Sequence, residues 1–192
     1  MLVGCIASIL GYLIGSIPFA IGIQRLYGFD LKNTGSGNLG TTNMYRQGGW
    51  KPAALLLILD AGKTAIPTSL AIVYFSNPWW HVSVGLLAIV GHIWPVFLRF
   101  TGGKGVAPSL GFLLVLSPLI WASLALVASL VIRTTRYVSV ASLLGAGLAP
   151  IMAYSLNLPL AYTSAITGLS TLVIFKHRSN IRRLLDGTEN KV

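Results

Sequence analysis

"GVAPSLGFLLVLSPLIWASLALVASLVI", residues 105–132, contains no charged residue, and its reading decides the fold. An α-helix rises 1.5 Å per residue and crosses a bilayer in about 20 residues. The run is therefore one long tilted crossing or two short ones broken at Ser117-Pro118. Flanking charge separates the two readings. Arg99 and Lys104 stand before the run, Arg133 and Arg136 after it. A single crossing would put those pairs on opposite faces of the membrane, whereas two crossings return the chain to the face it left. With the turn, all of the 14 Lys and Arg lie on one face except Lys63, which falls inside a helix. The opposite loops, near 76–78, 117–118 and 155–159, then carry no charge. Basic loops stay cytoplasmic, so two helices are expected, about 105–117 and 118–132. Both are short for an ordinary bilayer and must lean on neighbours or thin the membrane.

The same reasoning extends outward. Residues 1–24, 79–98 and 137–175 are uncharged, and 52–75 is interrupted only by Asp60 and Lys63. The longest run reads as two spans turning near Asn157-Leu158-Pro159, and Met1–Gln24 reads as a retained first span. The expected fold is an all-α polytopic membrane protein of seven transmembrane helices, with the N-terminus outside and the C-terminus cytoplasmic. Residues 1–192 are read as a single domain. Composition agrees: 54% of residues are hydrophobic and 9% charged, against about 25% charged in soluble domains. Mean hydropathy is +0.76. The net charge of +10 is scattered through short loops between apolar runs, which argues for anionic membrane lipid and against nucleic acid. Gly11-xxx-Gly15 and the pair Gly145 and Gly147 read as close helix-packing points. Cys5 is the only cysteine, which excludes an intrachain disulfide, and it reads as a core residue.

Polar residues cluster in four places. "GSGNLGTTN" at 35–43 satisfies GxGxxG literally, but no strand precedes it, so a dinucleotide fold is excluded. A flexible linker is the plain alternative. Successive glycines (Gly35, Gly37, Gly40) can instead turn backbone N–H groups toward an anion. Ser36, Thr41 and Thr42 add hydroxyls, Asn38 and Asn43 amides, and Arg46 charge. In the second span, Asp60 and Lys63 stand i,i+3 and can pair. Ionisable residues at membrane depth mark polar cavities, so Asp60 is read as an orienting partner and Lys63 as an anion contact. Gly102, Gly103, Lys104 and Gly105 precede the fourth helix and set backbone donors, dipole and ammonium at one spot. His92 lies shortly before them and is equally a structural or a reacting residue. "KHRSNIRRLLDGTENK", 176–191, reads as a basic tail on lipid, with His177 and Asn180 turned inward. Ser139 and Ser142 join Arg133 and Arg136 in a further polar rim. No His, Cys or Asp cluster has metal-ligand spacing, and no cofactor is called for.

GSGN-x-G-x-TN, GH-x-x-P-x-F-x-x-F-x-GGKGVA and KHR-x-NI-x-RLL-x-G-x-E-x-K occur in that order. Together they resemble the bacterial integral-membrane acyl-phosphate:glycerol-3-phosphate acyltransferases, the PlsY family, from "GSIPFA" at 15–20 to the tail. Departures are small. The family often has Ala at Thr41, Gly at Thr64, and a hydroxyl or small residue at Pro108, where proline suits the first turn of a helix. The resemblance implies transfer of a fatty acyl group from acyl phosphate to the 1-hydroxyl of glycerol 3-phosphate. The products would be lysophosphatidic acid and phosphate, made without acyl-CoA or acyl-carrier protein. It implies the bacterial cytoplasmic (inner) membrane, with the active site facing the cytoplasm.

The chemistry fits that pair of substrates. The His-x₄-Asp pattern of soluble-type glycerolipid acyltransferases is absent, because Leu86, Phe97 and Arg182 stand at the fifth position after His81, His92 and His177. Acyl phosphate is a reactive anhydride, so positioning and charge stabilisation can suffice, with the donor's own phosphate taking the proton. Ser36, Asn38 and Lys104 are the candidates for phosphate or the developing oxyanion. Arg46, Lys63, His177 and Asn180 are the candidates for glycerol 3-phosphate. Histidine base catalysis by His177 or His92 is the rival. The other class is an organophosphate anion transporter, against which stand the uncharged outer loops and the lack of an internal repeat.

Overall fold

A computed structural model describes residues 1–192, all of whose regular structure is helical. The chain forms two compact units, Met1–Val115 and Leu116–Val192. Five segments are long and apolar enough to cross a membrane: Leu2–Tyr27, Trp50–Tyr74, Pro78–Leu98, Pro118–Thr135 and Val138–Ser155. Two shorter apolar helices, Val106–Leu116 and Leu160–Lys176, accompany them.

The first unit contains α1 (Leu2–Gly15), α2 (Phe19–Tyr27), α3 (Thr41–Gly48), α4 (Trp50–Tyr74), α5 (Pro78–Ile93), a 3₁₀ turn at Val96–Leu98 and α6 (Val106–Leu116). The first span is not continuous, as the expected 1–24 segment implied. Pro18 lacks an N–H and separates α1 from α2. Gly28, at φ 73°, caps α2 in the left-handed region. α1 packs on α5 at the expected small residues. A methyl on Gly11 would stand 2.7 Å from the Val84 carbonyl oxygen, and one on Gly15 would stand 1.9 Å from that of Ala88. The backbones meet there because neither residue has a side chain. Gly111 does the same for α6, where a methyl would lie 2.0 Å from the Ala61 carbonyl oxygen of α4. Pro108 stands in the first turn of α6, and its carbonyl accepts a 2.7 Å bond from the Thr64 hydroxyl.

The second unit contains α7 (Pro118–Thr135), α8 (Val138–Ser155), α9 (Leu160–Lys176) and α10 (Arg178–Leu185). Ser117 caps α7 by accepting from Ile120 N–H, and Pro118 occupies the first helical position. The helix break expected at Ser117-Pro118 is thus present. The second helix is longer than expected, 18 residues, because it continues past Ile132 to Thr135 before Arg136 turns at φ 63°. Two further expectations are corrected. A methyl on Gly145 or Gly147 would meet nothing within 4 Å, so these glycines are not close-packing points within the chain. Cys5 is exposed on the outer face of α1 instead of lying in the core. Large apolar side chains such as Ile66, Val73, Leu126, Leu130 and Ile151 are likewise outward and more than half exposed. Such a surface suits hydrocarbon and not water.

Candidate active site

Loop 28–40 is held by amides and carboxylate. Asp30 accepts from Lys32 N–H at 2.9 Å and Asn33 Nδ2 at 2.6 Å, while its carbonyl accepts the Thr34 hydroxyl. These bonds hold the Asp30 carboxyl below the usual range, the Asn33 side chain contributing most. Asn43, on the first turn of α3, is 1% exposed and forms the hub. Its Nδ2 donates to the carbonyls of Leu31, Asn38 and Thr34 at 2.9, 3.0 and 3.1 Å, and its Oδ1 accepts from Ser36 N–H at 3.1 Å. Gly35 and Gly37 adopt φ 61° and 68°. Gly35 is required twice, since a methyl there would also stand 2.3 Å from Asn43 Oδ1. Ser36 and Gly37 are exposed, Asn38, Gly40, Thr41 and Arg46 half-buried. The Thr41 Oγ1 is buried and makes no hydrogen bond. A buried hydroxyl without a partner calls for one, which fits a ligand at this loop.

Below the loop, Leu31, Leu39 and Met44 join Ala20, Ile23, Ala53 and Leu56 in one buried cluster. This apolar footing fastens the polar loop to α2 and α4. α3 itself lies between the runs 1–24 and 52–75. Its apolar signal is only Met44 and Tyr45, too little for periodicity to register.

Asp60, Lys63 and His92 meet beneath this region. Lys63 Nζ lies 2.8 Å from Asp60 Oδ1, as the i,i+3 spacing implies. His92 Nδ1, on α5, lies 3.6 Å from the same oxygen. Lys63 also donates to the Ile17 carbonyl at 3.1 Å, at the α1–α2 break, with the Phe19 ring 5.7 Å away. The carbonyl at a proline break supplies an acceptor that an unbroken helix would not expose. The trio borders a small open cavity whose walls include Phe19, Leu39, Pro95, Leu98, Gly102 and Gly103. A polar floor between apolar walls suits a ligand with a charged head and a greasy remainder.

The Gly102–Gly105 turn reaches this cavity through an unusual bend. Arg99 and Phe100 both have positive φ, 49° and 60°. Phe100 N–H donates to the Pro95 carbonyl at 2.9 Å, and Gly103 N–H to that of His92 at 3.2 Å. Gly105 turns at φ 89° into α6. Lys104 is half-buried.

In the second unit, His177 joins α9 to α10 and Asn180 lies one turn later. Both face inward as expected, at 3% and 5% exposure. His177 Nδ1 is 2.8 Å from the Val173 carbonyl. Asn180 Nδ2 donates to Glu189 Oε1 at 2.7 Å, and Arg183 Nε donates to Glu189 Oε2 at the same distance. Burial alone would raise the Glu189 carboxyl, but Asn180, the Ser139 hydroxyl and Arg183 together bring it below the usual range. Ser139 adds polarity nearby without completing a hydrogen bond. Ser142 donates to the Val138 carbonyl of its own helix at 2.9 Å. Arg136 and Val192 exchange bonds that fasten the tail. Glu189 and the Ser16–Pro18 break were missed as site-forming features. Pro18 within "GSIPFA" was the available signal for the break.

The glycerol-3-phosphate acyltransferase family profile matches residues 5–187. A glycerol-3-phosphate acyltransferase of Thermus thermophilus is 39% identical over 96% of this chain and 92% of its own. Two crystal structures of PlsY, an integral membrane glycerol 3-phosphate acyltransferase, superpose closely. Its glycerol 3-phosphate form gives a TM-score of 0.95 at 37% identity, covering 98% of this chain and 95% of that one. Its lysophosphatidic acid form gives 0.92 at 36%, covering 98% and 94%. The chain belongs to the PlsY family of integral-membrane glycerol-3-phosphate acyltransferases.

Proposed function

We propose that the protein acylates the 1-hydroxyl of glycerol 3-phosphate with acyl phosphate as donor, at the cytoplasmic face of the bacterial inner membrane. The hydroxyl oxygen bonds to the acyl carbon, the bond from that carbon to the phosphate oxygen breaks, and the departing phosphate takes the hydroxyl proton. Lysophosphatidic acid and inorganic phosphate result. The observation that carries this reading is the first-unit cavity, in which buried charge and glycine-turn backbone share one space with apolar walls. Acyl burial favours binding by about 0.8 kcal/mol per CH₂, so apolar walls need no special motif to capture the chain.

Within this reading, Ser36, Asn38 and Lys104 stabilise phosphate or the developing oxyanion. Gly37, Gly40, Thr41, Gly102, Gly103 and Gly105 supply the turns and donors around them. Asn43 acts by holding the loop's shape, since its amide already serves four backbone groups. Arg46, which follows the first glycine motif, Lys63, which pairs with Asp60, and His177 and Asn180, which stand in the C-terminal motif, are assigned to glycerol 3-phosphate, with Ser142 in the binding set. The chain crosses the membrane seven times with its N-terminus outside, the two shorter apolar helices completing the count. Purified protein in detergent micelles tests the reaction: phosphate release should require acyl phosphate and glycerol 3-phosphate together. Release from either alone, or none from the pair, refutes the proposal.

A further inference from the structure

We infer that Asp60 is a positioning residue which, through His92, sets where the Gly102–Gly105 turn stands on the cavity. The inference rests on the acyltransferase reading for what the turn holds, a phosphate, and on the packing around His92 for how it is held. Asp60 is 3% exposed at mid-helix in α4, with Lys63 Nζ at 2.8 Å and His92 Nδ1 at 3.6 Å. A carboxylate beside one ring nitrogen favours a proton there and fixes the tautomer and plane of the imidazole. At 3.6 Å the contact is longer than a hydrogen bond, and it acts as an ion-pair contact across the α4–α5 interface.

The opposite edge of that ring rests on the turn. A methyl on Gly103 would stand 2.2 Å from His92 Nε2, so the ring and the Gly103 backbone occupy adjoining space that no side chain could share. The His92 carbonyl accepts Gly103 N–H at 3.2 Å, and a methyl on Gly102 would stand 2.1 Å from that oxygen. Backbone and ring of His92 together therefore seat the turn. If the ring swings, the turn must move. Lys63 serves a different arm of the same carboxylate, because its ammonium reaches the Ile17 carbonyl at the helix break. Asp60 thus ties the break and the turn to one point.

The test uses the purified full chain, with ¹⁵N-histidine NMR reading the His92 tautomer and ³¹P NMR reading the binding of inorganic phosphate. Wild type should show His92 protonated at Nδ1, and Asp60→Asn should give mixed tautomers and phosphate binding weakened tenfold or more. In a His92→Gln background Asp60→Asn should weaken binding by less than twofold further. In a Lys63→Met background it should retain its full effect. An unaltered His92 spectrum in Asp60→Asn, full multiplication in the His92→Gln background, or loss of the effect only with Lys63→Met overturns the inference. Should Asp60→Asn not fold, the wild-type spectrum decides, and a proton on Nε2 overturns the inference. These readouts need no turnover, so a protein that binds phosphate this way but makes no lysophosphatidic acid would defeat the proposed reaction and leave the positioning role standing.

Discussion

Replacing Gly102 with Ala should damage catalysis while leaving the fold in place. The new Cβ would stand 2.1 Å from the His92 carbonyl oxygen, 2.6 Å from Pro95 Cδ and 2.9 Å from the Ile93 carbonyl oxygen. Two of these obstacles are backbone, so no side-chain rotation relieves them. Ordinary contact for a Cβ begins at 3.4 Å, which requires the turn to shift by roughly 1 Å. Misplacement of about 1 Å in a positioning element costs on the order of 100-fold in rate, or about 2.7 kcal/mol at the transition state. Steady-state formation of lysophosphatidic acid, with thermal unfolding in detergent alongside, measures both halves. Gly168→Ala is the comparator, since a methyl there meets nothing within 4 Å on α9. It should leave kcat/KM unchanged and hold or raise stability by up to about 1 kcal/mol. A Gly102→Ala enzyme within threefold of wild type in kcat/KM would refute the reasoning.

Three further outcomes follow from the same contacts. Asn43→Asp retains an acceptor for Ser36 N–H but cannot donate to the three carbonyls, so it should destabilise nearly as much as Asn43→Ala, about 1–3 kcal/mol. Limited proteolysis at Lys32 and Arg46 reads the loosened loop, and a protected loop in Asn43→Asp would contradict the hub assignment. Glu189 has a depressed folded carboxyl, so its stabilisation is complete above the unfolded range and is lost as pH falls through the folded value. Acid-dependent release of the tail, followed by a probe at Lys191, should disappear in Glu189→Gln, and an unchanged acid transition there would count against the clasp. In a Cys5→Ala background, Ser76→Cys and Ser155→Cys should react with an impermeant thiol reagent from outside intact cells. Thr134→Cys should react only after permeabilisation, and the reverse pattern would overturn the seven-crossing topology.

Charge and proline made the helix break at Ser117-Pro118 legible, because thirteen basic residues fall on one side only if the chain turns there. Pro18 offered the same signal and was masked by the continuous hydropathy around it. The pairing of Asp60 with Lys63 is local, a consequence of helical spacing, and could be read from the sequence. The arrival of His92 at the same carboxylate depends on α4 packing against α5, which no local pattern encodes. Asn43 illustrates a different difficulty. Its residue type suits a ligand contact and a loop hub equally, and only the four bonds it makes separate the roles. Gly145 and Gly147 show the converse, since a glycine pair on a helix is also what a lipid-facing surface can carry.

The central claim is that the alcohol attacks acyl phosphate directly, with the protein supplying position and charge. Rapid quenching of the purified enzyme with acyl-labelled acyl phosphate tests it most directly. The account predicts no label on the protein without glycerol 3-phosphate, and labelled lysophosphatidic acid as soon as it is added. Label bound to Ser36 that passes on to glycerol 3-phosphate at the catalytic rate would contradict it.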